Sequence, residues 1–196
     1  IVSRSAWWGS LDPNEKHYPN QNNSKQVSFI NNTTHAFIHH GESSNSYTDG
    51  ANVVRLYWNY HVNSNGWKDI GYNYLIDKFG IIYEGRHNPD FPNRDVWGAH
   101  TGSSNGYSFA VCFVGNFDKI YPPKVAIEAL TDILAYKLKL RNMTPLGVGY
   151  IVSKTIDIIS GHRDAPSTST DCPGDSLHSL LPSIRQGVQA KIDLCN

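Results

Sequence analysis

The sequence predicts an α/β fold in which helices cover a single central mixed β-sheet. Apolar runs of strand length alternate along the chain with three segments of amphipathic helical periodicity. One pair of apolar runs flanks a tight-turn signal, which predicts an antiparallel pair and disfavours a purely parallel, doubly wound sheet. We find no internal repeat or low-complexity linker, so residues 1–196 are predicted to form one domain.

The first half of the chain is predicted to supply a wrap, a strand, a helix and a hairpin. Residues 1–33 are mostly polar and predict an irregular N-terminal wrap. The alternation in THAFIHH predicts a strand over 34–40, and apolar residues near helical spacing predict a helix over 52–62. The segment 71–86 holds the hairpin signal, with Gly80 available for a turn position of positive φ.

The second half is predicted to contain three further strands and two helices. The strands are expected over 96–100, 108–115 and 155–159, and the helices over 124–142 and 177–194. Pro122 and Pro123 open the longer helix, and Pro182 stands near the start of the C-terminal one. Both placements suit proline, whose missing N–H has no partner in a first helical turn.

Composition excludes two classes of protein. Lys plus Arg and Asp plus Glu both number 17, so the formal net charge of zero argues against a nucleic-acid binder. No apolar stretch reaches the length of a membrane span. Charged residues are 17% and aromatic residues 12% of the chain, a balance that favours a buried core over disorder. The chain begins at Ile1 without Met, so we expect removal of an N-terminal segment, either a signal peptide or a trimmed extension.

Three residues suggest a metal site, because each ends a strand or follows one: His39, His162 and Cys172. Imidazole and thiolate are preferred zinc ligands, and three protein ligands leave a fourth position for water, as in catalytic sites. The alternative is an ordinary buried or surface histidine and a cysteine that acts as a small hydrophobic residue. Strand periodicity places His40 on the opposite face from His39 but does not choose between them.

Five blocks of sequence together resemble a known family. They are IVSRSAWWG, AFIHHGE, NGWKDIGYNYLIDKFGIIYEGR, VWGAHTGSSNGYSFAVCFVGNF, and GHRD followed by TDCPG. In this order they resemble the zinc-dependent N-acetylmuramoyl-L-alanine amidase type 2 family, which includes the peptidoglycan recognition proteins and amidase-type phage lysozymes. The resemblance extends over nearly the whole chain, and it implies the fold of that family.

The resemblance also implies a site and a reaction. It favours His39 over His40 and assigns His39, His162 and Cys172 as ligands of one catalytic Zn²⁺. The implied reaction is hydrolysis of the amide between the lactyl group of N-acetylmuramic acid and the L-alanine of the stem peptide. Tyr72 and Thr170 match positions that would donate hydrogen bonds to the developing oxyanion. Because ligand histidines must be neutral, we expect acid to release zinc, with activity falling below about pH 6.

Three further positions resemble substrate contacts, each with a structural alternative. His100 lines the groove in the family, or it is a strand-end histidine with a structural hydrogen bond. Asn105 contacts the muropeptide, or it is a turn residue beside Gly106. Arg86 pairs with a stem-peptide carboxylate, or it forms a surface salt bridge.

Other residues are assigned more ordinary roles. Asp164 is expected either to orient Arg163 or a ligand, or to be a turn residue, and His61 is expected on a helix surface. A bridge between Cys112 and Cys195 is arithmetically allowed.

The resemblance implies peptidoglycan and muropeptides as partners of a secreted or cell-envelope protein, which we expect to be a monomer. The alternative function is a recognition module that binds muropeptides without cleaving them.

Overall fold

The computed structural model describes residues 1–8 and 27–195, and a five-stranded mixed sheet lies at its centre. The strands in the described residues are β1 (His35–His40), β2 (Tyr74–Ile76), β3 (Ile82–Glu84), β4 (Ser108–Phe113), β5 (Val148–Ile151), β6 (Lys154–Asp157) and β7 (Ile159–Gly161). The central sheet has the order β3–β2–β4–β1–β7, with β3 antiparallel to β2 and the other neighbours parallel. The predicted α/β class with a mixed sheet is therefore confirmed.

Helices lie on both faces of this sheet. They are α1 (Arg4–Trp8), α2 (Gly50–Asn59), α3 (Lys124–Leu140), α4 (Asp175–Ser179) and α5 (Leu181–Leu194). One face packs against α3 and α5, and the other packs against α1 and α2. Within β1, Ala36 and Ile38 face α3 and α5, so strand alternation turns Phe37 and His39 to the opposite face. In the described residues, no helix combines the length and the apolar character that crossing a membrane requires.

The hairpin prediction is confirmed in detail. β2 and β3 pair antiparallel, and Gly80 in the connecting turn has φ of +79°. The buried carboxylate of Asp77 accepts hydrogen bonds from the backbone N–H of Phe79 and of Ile81 and from the Tyr83 hydroxyl. The turn is therefore held by one side chain at its entrance.

Several predicted boundaries are wrong for identifiable reasons. Residues 96–100 form no strand and make only an isolated bridge between Phe29 and Val96. The predicted strand 155–159 is split between β6 and β7, because β6 pairs with β5 in a separate hairpin. The predicted helix 177–194 is two helices, since the ring of Pro182 would clash with the carbonyl four residues earlier in a continuous helix.

The N-terminal and second helical predictions are partly met. Residues 9–26 of the predicted wrap lie outside the described residues, and the segment before them contains α1. Helix α2 starts two residues earlier than predicted, because Asp49 caps its N-terminus by accepting from the N–H groups of Ala51 and Asn52. Its C-terminal end widens into a π-helical turn, Tyr60–Ser64.

Candidate functional site

The carboxyl ends of two parallel strands bring His39 and His162 together. Ile38 of β1 is paired with Gly161 of β7, so the residues that follow in each strand are neighbours. His162 begins a short 3₁₀ turn after β7, and its ring centroid lies 4.6 Å from that of His39. The sheet register therefore places both imidazoles at the carboxyl ends of these two strands.

Cys172 completes this cluster from the loop that follows the 3₁₀ turn. Its Sγ lies 3.7 Å from Nδ1 of His39 and accepts a hydrogen bond from the His40 backbone N–H at 3.4 Å. The loop is closed by the Arg163 N–H, which donates to the Cys172 carbonyl oxygen at 2.9 Å. The loop from His162 to Cys172 therefore brings the thiol to the end of β1.

The donor set and its spacing fit a zinc ion. One ligand atom from each of His39, His162 and Cys172 lies within 4.8 Å of the other two. Two tetrahedral ligands at ordinary Zn–S and Zn–N distances are about 3.6 Å apart, close to the separation of Sγ and Nδ1. Among the described residues, no further histidine, cysteine or carboxylate joins this group. The three ligands therefore match the number found in catalytic zinc sites, which keep a fourth position open for water.

Burial controls the ionisation of these side chains. It lowers the pKa of His39 well below its ordinary value and that of His162 to about 4, and the neighbouring histidines add to both effects. Both imidazoles are accordingly neutral at pH 7 and able to bind a cation. Burial raises the pKa of the Cys172 thiol to about 12, although the His40 N–H donor acts in the opposite direction.

His40 points away from the cluster, as strand alternation predicts. Its Nδ1 accepts a hydrogen bond from the Phe117 backbone N–H at 3.2 Å, on the side of the sheet covered by α3. The tertiary structure therefore makes the choice between His39 and His40 that periodicity leaves open.

Tyr72 and Thr170 lie beside the cluster. The Tyr72 ring centroid is 5.1 Å from that of His39, and burial raises the pKa of Tyr72 well above its ordinary value. The hydroxyl is therefore protonated at neutral pH and can donate. Oγ1 of Thr170 accepts from the Cys172 backbone N–H at 3.2 Å, an arrangement that leaves the hydroxyl proton for another acceptor.

His100 also faces the cluster, with its ring centroid 5.1 Å from that of His39 in an edge-on arrangement. Its Nδ1 is 3.1 Å from Oγ1 of Thr101, whereas Nε2 is buried with no hydrogen-bond partner. Burial lowers the pKa of His100 to about 3, with smaller contributions in the same direction from the nearby His162 and Arg86. The residue thus makes the structural hydrogen bond that we weighed and still has one unpaired nitrogen.

Asn105 and Arg86 are engaged within the protein. Oδ1 of Asn105 accepts from the N–H groups of His100 and Thr101, so this carbonyl shapes the loop. The Arg86 guanidinium is buried and donates to the carbonyl oxygens of Ile70, Asp69 and Trp97. The surface salt bridge considered for Arg86 is wrong, and this geometry gives no support to a contact with a substrate carboxylate.

The prediction for His61 is wrong, and the open alternative for Cys112 and Cys195 is decided. His61 is buried, not on the surface, because its Nδ1 accepts from the Gly71 N–H and its ring stacks on Trp67. Cys112 and Cys195 are both free thiols, one buried and one exposed, so no bridge joins them.

Asp164 has contacts that sequence spacing did not reveal. Its Oδ2 accepts from the Gly161 N–H at 2.8 Å, and both carboxylate oxygens lie 3.0 Å from Nε2 of His178. Asp164 thus ties the 3₁₀ turn that carries His162 to helix α4. Nothing in the spacing of Asp164 and His178 in the sequence signals this contact.

Comparisons with known proteins agree with this fold. A family model described as N-acetylmuramoyl-L-alanine amidase matches residues 30–175. Peptidoglycan-recognition protein SC2 of Drosophila melanogaster is 31% identical over 179 residues, covering 90% of this chain and 82% of its own length. Human N-acetylmuramoyl-L-alanine amidase is 30% identical over 152 residues, which are 74% of this chain but only 23% of the human protein.

Solved structures show the same architecture. Wild-type Drosophila PGRP-LB superposes with a TM-score of 0.68 and 27% identity, over 93% of this chain and 92% of that one. A complex of tracheal cytotoxin with the ectodomains of PGRP-LCa and PGRP-LCx gives a TM-score of 0.70 at 23% identity, over 92% and 93% of the two chains. The protein belongs to the N-acetylmuramoyl-L-alanine amidase family, together with the peptidoglycan recognition proteins, and has their fold.

Proposed function

We propose that the protein is a zinc-dependent N-acetylmuramoyl-L-alanine amidase. It hydrolyses the amide between the lactyl group of N-acetylmuramic acid and the L-alanine of the peptidoglycan stem peptide. The observation that carries this proposal is the convergence of one ligand atom each from His39, His162 and Cys172 within 4.8 Å. Three protein ligands are the number found in catalytic zinc sites, which keep a fourth position for water. The family match supports it.

The side chains of the proposed site have two roles, as metal ligands and as hydrogen-bond donors. His39, His162 and Cys172 would hold the ion, which when bound supplies Lewis acidity and lowers the pKa of water to about 7. The protonated hydroxyl of Tyr72 donates to the oxyanion that develops on the lactyl carbonyl, and the Thr170 hydroxyl donates beside it. Loss of one such donor typically costs about 10²–10³ in rate.

Substrate recognition is assigned to the groove around His100. Its neutral ring lies edge-on beside His39, and we propose that a polar group of the muropeptide contacts the protein there. Asn105 retains its Nδ2 group for a similar contact, since its described bonds engage only Oδ1. Arg86 donates to the carbonyl oxygens of Asp69 and Ile70, and its proposed role is to position the segment that leads to Tyr72.

The substrate also determines where the protein acts. Peptidoglycan lies outside the cytoplasmic membrane, so we propose a secreted or cell-envelope location. A solved relative, Drosophila PGRP-LB, has been captured in complex with tracheal cytotoxin as a Tyr-to-Phe variant. We extend a muropeptide ligand to this chain on that basis, and we expect the protein to act as a monomer.

A recognition module without hydrolysis is the second candidate. It is favoured by relatives that are named peptidoglycan recognition proteins, such as protein SC2. The retained thiol of Cys172 favours hydrolysis instead, because the same groove without a third ligand would bind zinc far more weakly.

Digestion of purified peptidoglycan followed by mass spectrometry tests the proposal. We expect free stem peptides beginning with L-alanine when zinc is present and none after chelation. Cys172→Ala should abolish this release, whereas Cys195→Ser, which changes an exposed cysteine remote in sequence from the cluster, should leave it intact. Intact muropeptides in every sample would reject hydrolysis, and release unaffected by Cys172→Ala would reject the assigned site.

A further inference from the structure

Arg163 joins the two ends of the loop that connects the candidate ligands His162 and Cys172. It follows His162 directly, in the 3₁₀ turn after β7. Its backbone N–H donates to the carbonyl oxygen of Cys172 at 2.9 Å. The residue next to one candidate ligand is therefore bonded to the main chain of another.

The side chain of Arg163 adds a contact on each side of Cys172. Nη2 donates to the carbonyl oxygen of Asp171, and Nη1 donates to Oδ1 of Asp175 at 2.7 Å. The side chain of Arg163 is 23% exposed, so most of it is covered by the protein. Because the N–H donors of a guanidinium have a fixed fork geometry, two such bonds restrain direction as well as distance. The guanidinium therefore spans the backbone around Cys172.

Cys172 depends on such support more than the two histidines do. His39 lies in β1 and His162 directly follows β7, so the pairing of these strands positions both main chains. Cys172 lies in a loop, between the 3₁₀ turn and helix α4. A loop residue keeps one position only if its contacts offset the conformational entropy lost on ordering it. A metal ion accepts ligands within a narrow range of distances, so mobility of this loop would lower the affinity.

The two side-chain contacts of Arg163 differ in strength. Asp175 is exposed, and an ion pair in contact with water contributes little because water competes for both charges. The acceptor in Asp171 is a main-chain carbonyl directly before Cys172, and a bond from a charged donor is stronger than one from a neutral donor. We therefore expect the bond to Asp171 to restrain the thiol more than the ion pair does.

We propose that Arg163 is a positioning residue for the thiol of Cys172: its guanidinium holds the backbone on both sides of Cys172 in the arrangement that binds the metal ion. This inference rests on the proposed function, in which Cys172 is a zinc ligand. It assigns a role to a cationic side chain beside the site that the proposed reaction does not use.

Competition for zinc with a chelator tests the proposal without any need for activity. Arg163→Ala should weaken zinc binding about 10-fold or more, the effect typical of removing a group that orients a metal ligand. Arg163→Lys keeps the charge but loses the fork, so its affinity should lie between those of Arg163→Ala and the parent protein. Asp175→Ala removes only the exposed partner and should stay within about 3-fold of the parent.

A matched arginine and a double-mutant cycle separate positioning from a general effect on stability. Arg55 likewise donates to a backbone carbonyl, that of Trp7, and pairs with an aspartate, Asp49. Arg55→Ala should leave the zinc affinity within about 2-fold of the parent value, since none of these contacts involves the ligand loop. In a Cys172→Ala background, Arg163→Ala should cause no further loss, because the thiol through which it acts is absent.

Two results with a zinc-binding parent protein overturn the proposal. One is an affinity of Arg163→Ala within about 2-fold of the parent value. The other is an equal loss from Arg163→Ala in the parent and Cys172→Ala backgrounds, since a general effect on folding would appear in both. If the parent binds zinc but releases no stem peptides, the proposed hydrolysis fails, and these affinities still decide the role of Arg163. A parent protein that binds no zinc would overturn both proposals.

Discussion

At the residue scale, burial sets the protonation state of the candidate metal ligands. The pKa of Cys172 is raised to about 12 and that of His162 is lowered to about 4, in both cases chiefly by desolvation. Metal-free protein at neutral pH thus presents one thiol and two neutral imidazoles. An ordinary imidazole pKa predicts the loss of zinc below about pH 6. Because burial lowers the pKa of both histidines, their protonation contributes to zinc loss only at more acidic pH.

This arrangement predicts the number of protons released when zinc binds. The ion binds the thiolate, so Cys172 must lose one proton, whereas His39 and His162 have none to lose. We expect the apparent zinc affinity to rise about tenfold per pH unit between roughly pH 5 and pH 9. Competition with a chelator of known protonation behaviour, measured across that range, gives the slope.

Cys172→Ala provides the matched control for this slope, because it removes the only ligand that must lose a proton. Its weaker zinc binding should be nearly independent of pH over the same range. A slope of two for the parent protein would mean that a histidine is also protonated, which would contradict the burial argument.

At the scale of elements, a buried ion cluster attaches α3 to the loop around Asp95, which precedes His100 in the chain. Asp95 accepts from Nζ of Lys137 at 2.6 Å and from Oγ1 of Thr33 at 2.7 Å, and it pairs with Arg141. Asp95 and Lys137 are almost fully buried. The segment after Asp95 was predicted as a strand, but this cluster and one bridge hold it in place.

Removal of the carboxylate should therefore destabilise the protein strongly. Asp95→Ala leaves the buried ammonium of Lys137 without its counter-charge, and we expect a loss of about 3–5 kcal/mol in the free energy of unfolding. Urea denaturation measures the change. Asp132→Ala, on the exposed side of the same helix, removes a surface pair with Lys191 and should cost at most about 1 kcal/mol. Equal losses for the two variants would show that the Asp95 cluster is not a major contributor.

At the scale of the whole molecule, the fold holds many histidines in their neutral form. Burial is the main cause of a lowered pKa at six of them: His35, His39, His40, His61, His100 and His162. In the unfolded chain these groups take up protons near pH 6.5, whereas in the folded protein His61 and His162 do so only near pH 4. Between these values the unfolded state binds more protons, so stability decreases as the pH falls.

We therefore expect the free energy of unfolding of the metal-free protein to fall steadily from about pH 6.5 to pH 4. His61→Asn should make this fall less steep, because Asn does not titrate while its Oδ1 can still accept from the Gly71 N–H. Urea denaturation at several pH values, with chelator present, measures both slopes. Identical slopes in parent and variant would contradict the role assigned to His61.

The sequence by itself determined the class of fold, the hairpin and the identity of the chemical groups at the site. Hydrophobic periodicity and turn chemistry act over a few residues, so they are visible without a structure: Gly80 and the α3 pattern are examples. The motifs around His39, His162 and Cys172 likewise appear as short blocks. The split between β6 and β7 escaped prediction because it depends on pairing with β5.

Only the tertiary structure decided which of these groups meet. His39 and His162 are far apart in the chain, and the parallel register of β1 and β7 makes them neighbours. The same long-range packing buried Arg86 and His61. Local sequence patterns carry no information about such contacts, because the free energy that selects them comes from burying surfaces contributed by distant segments.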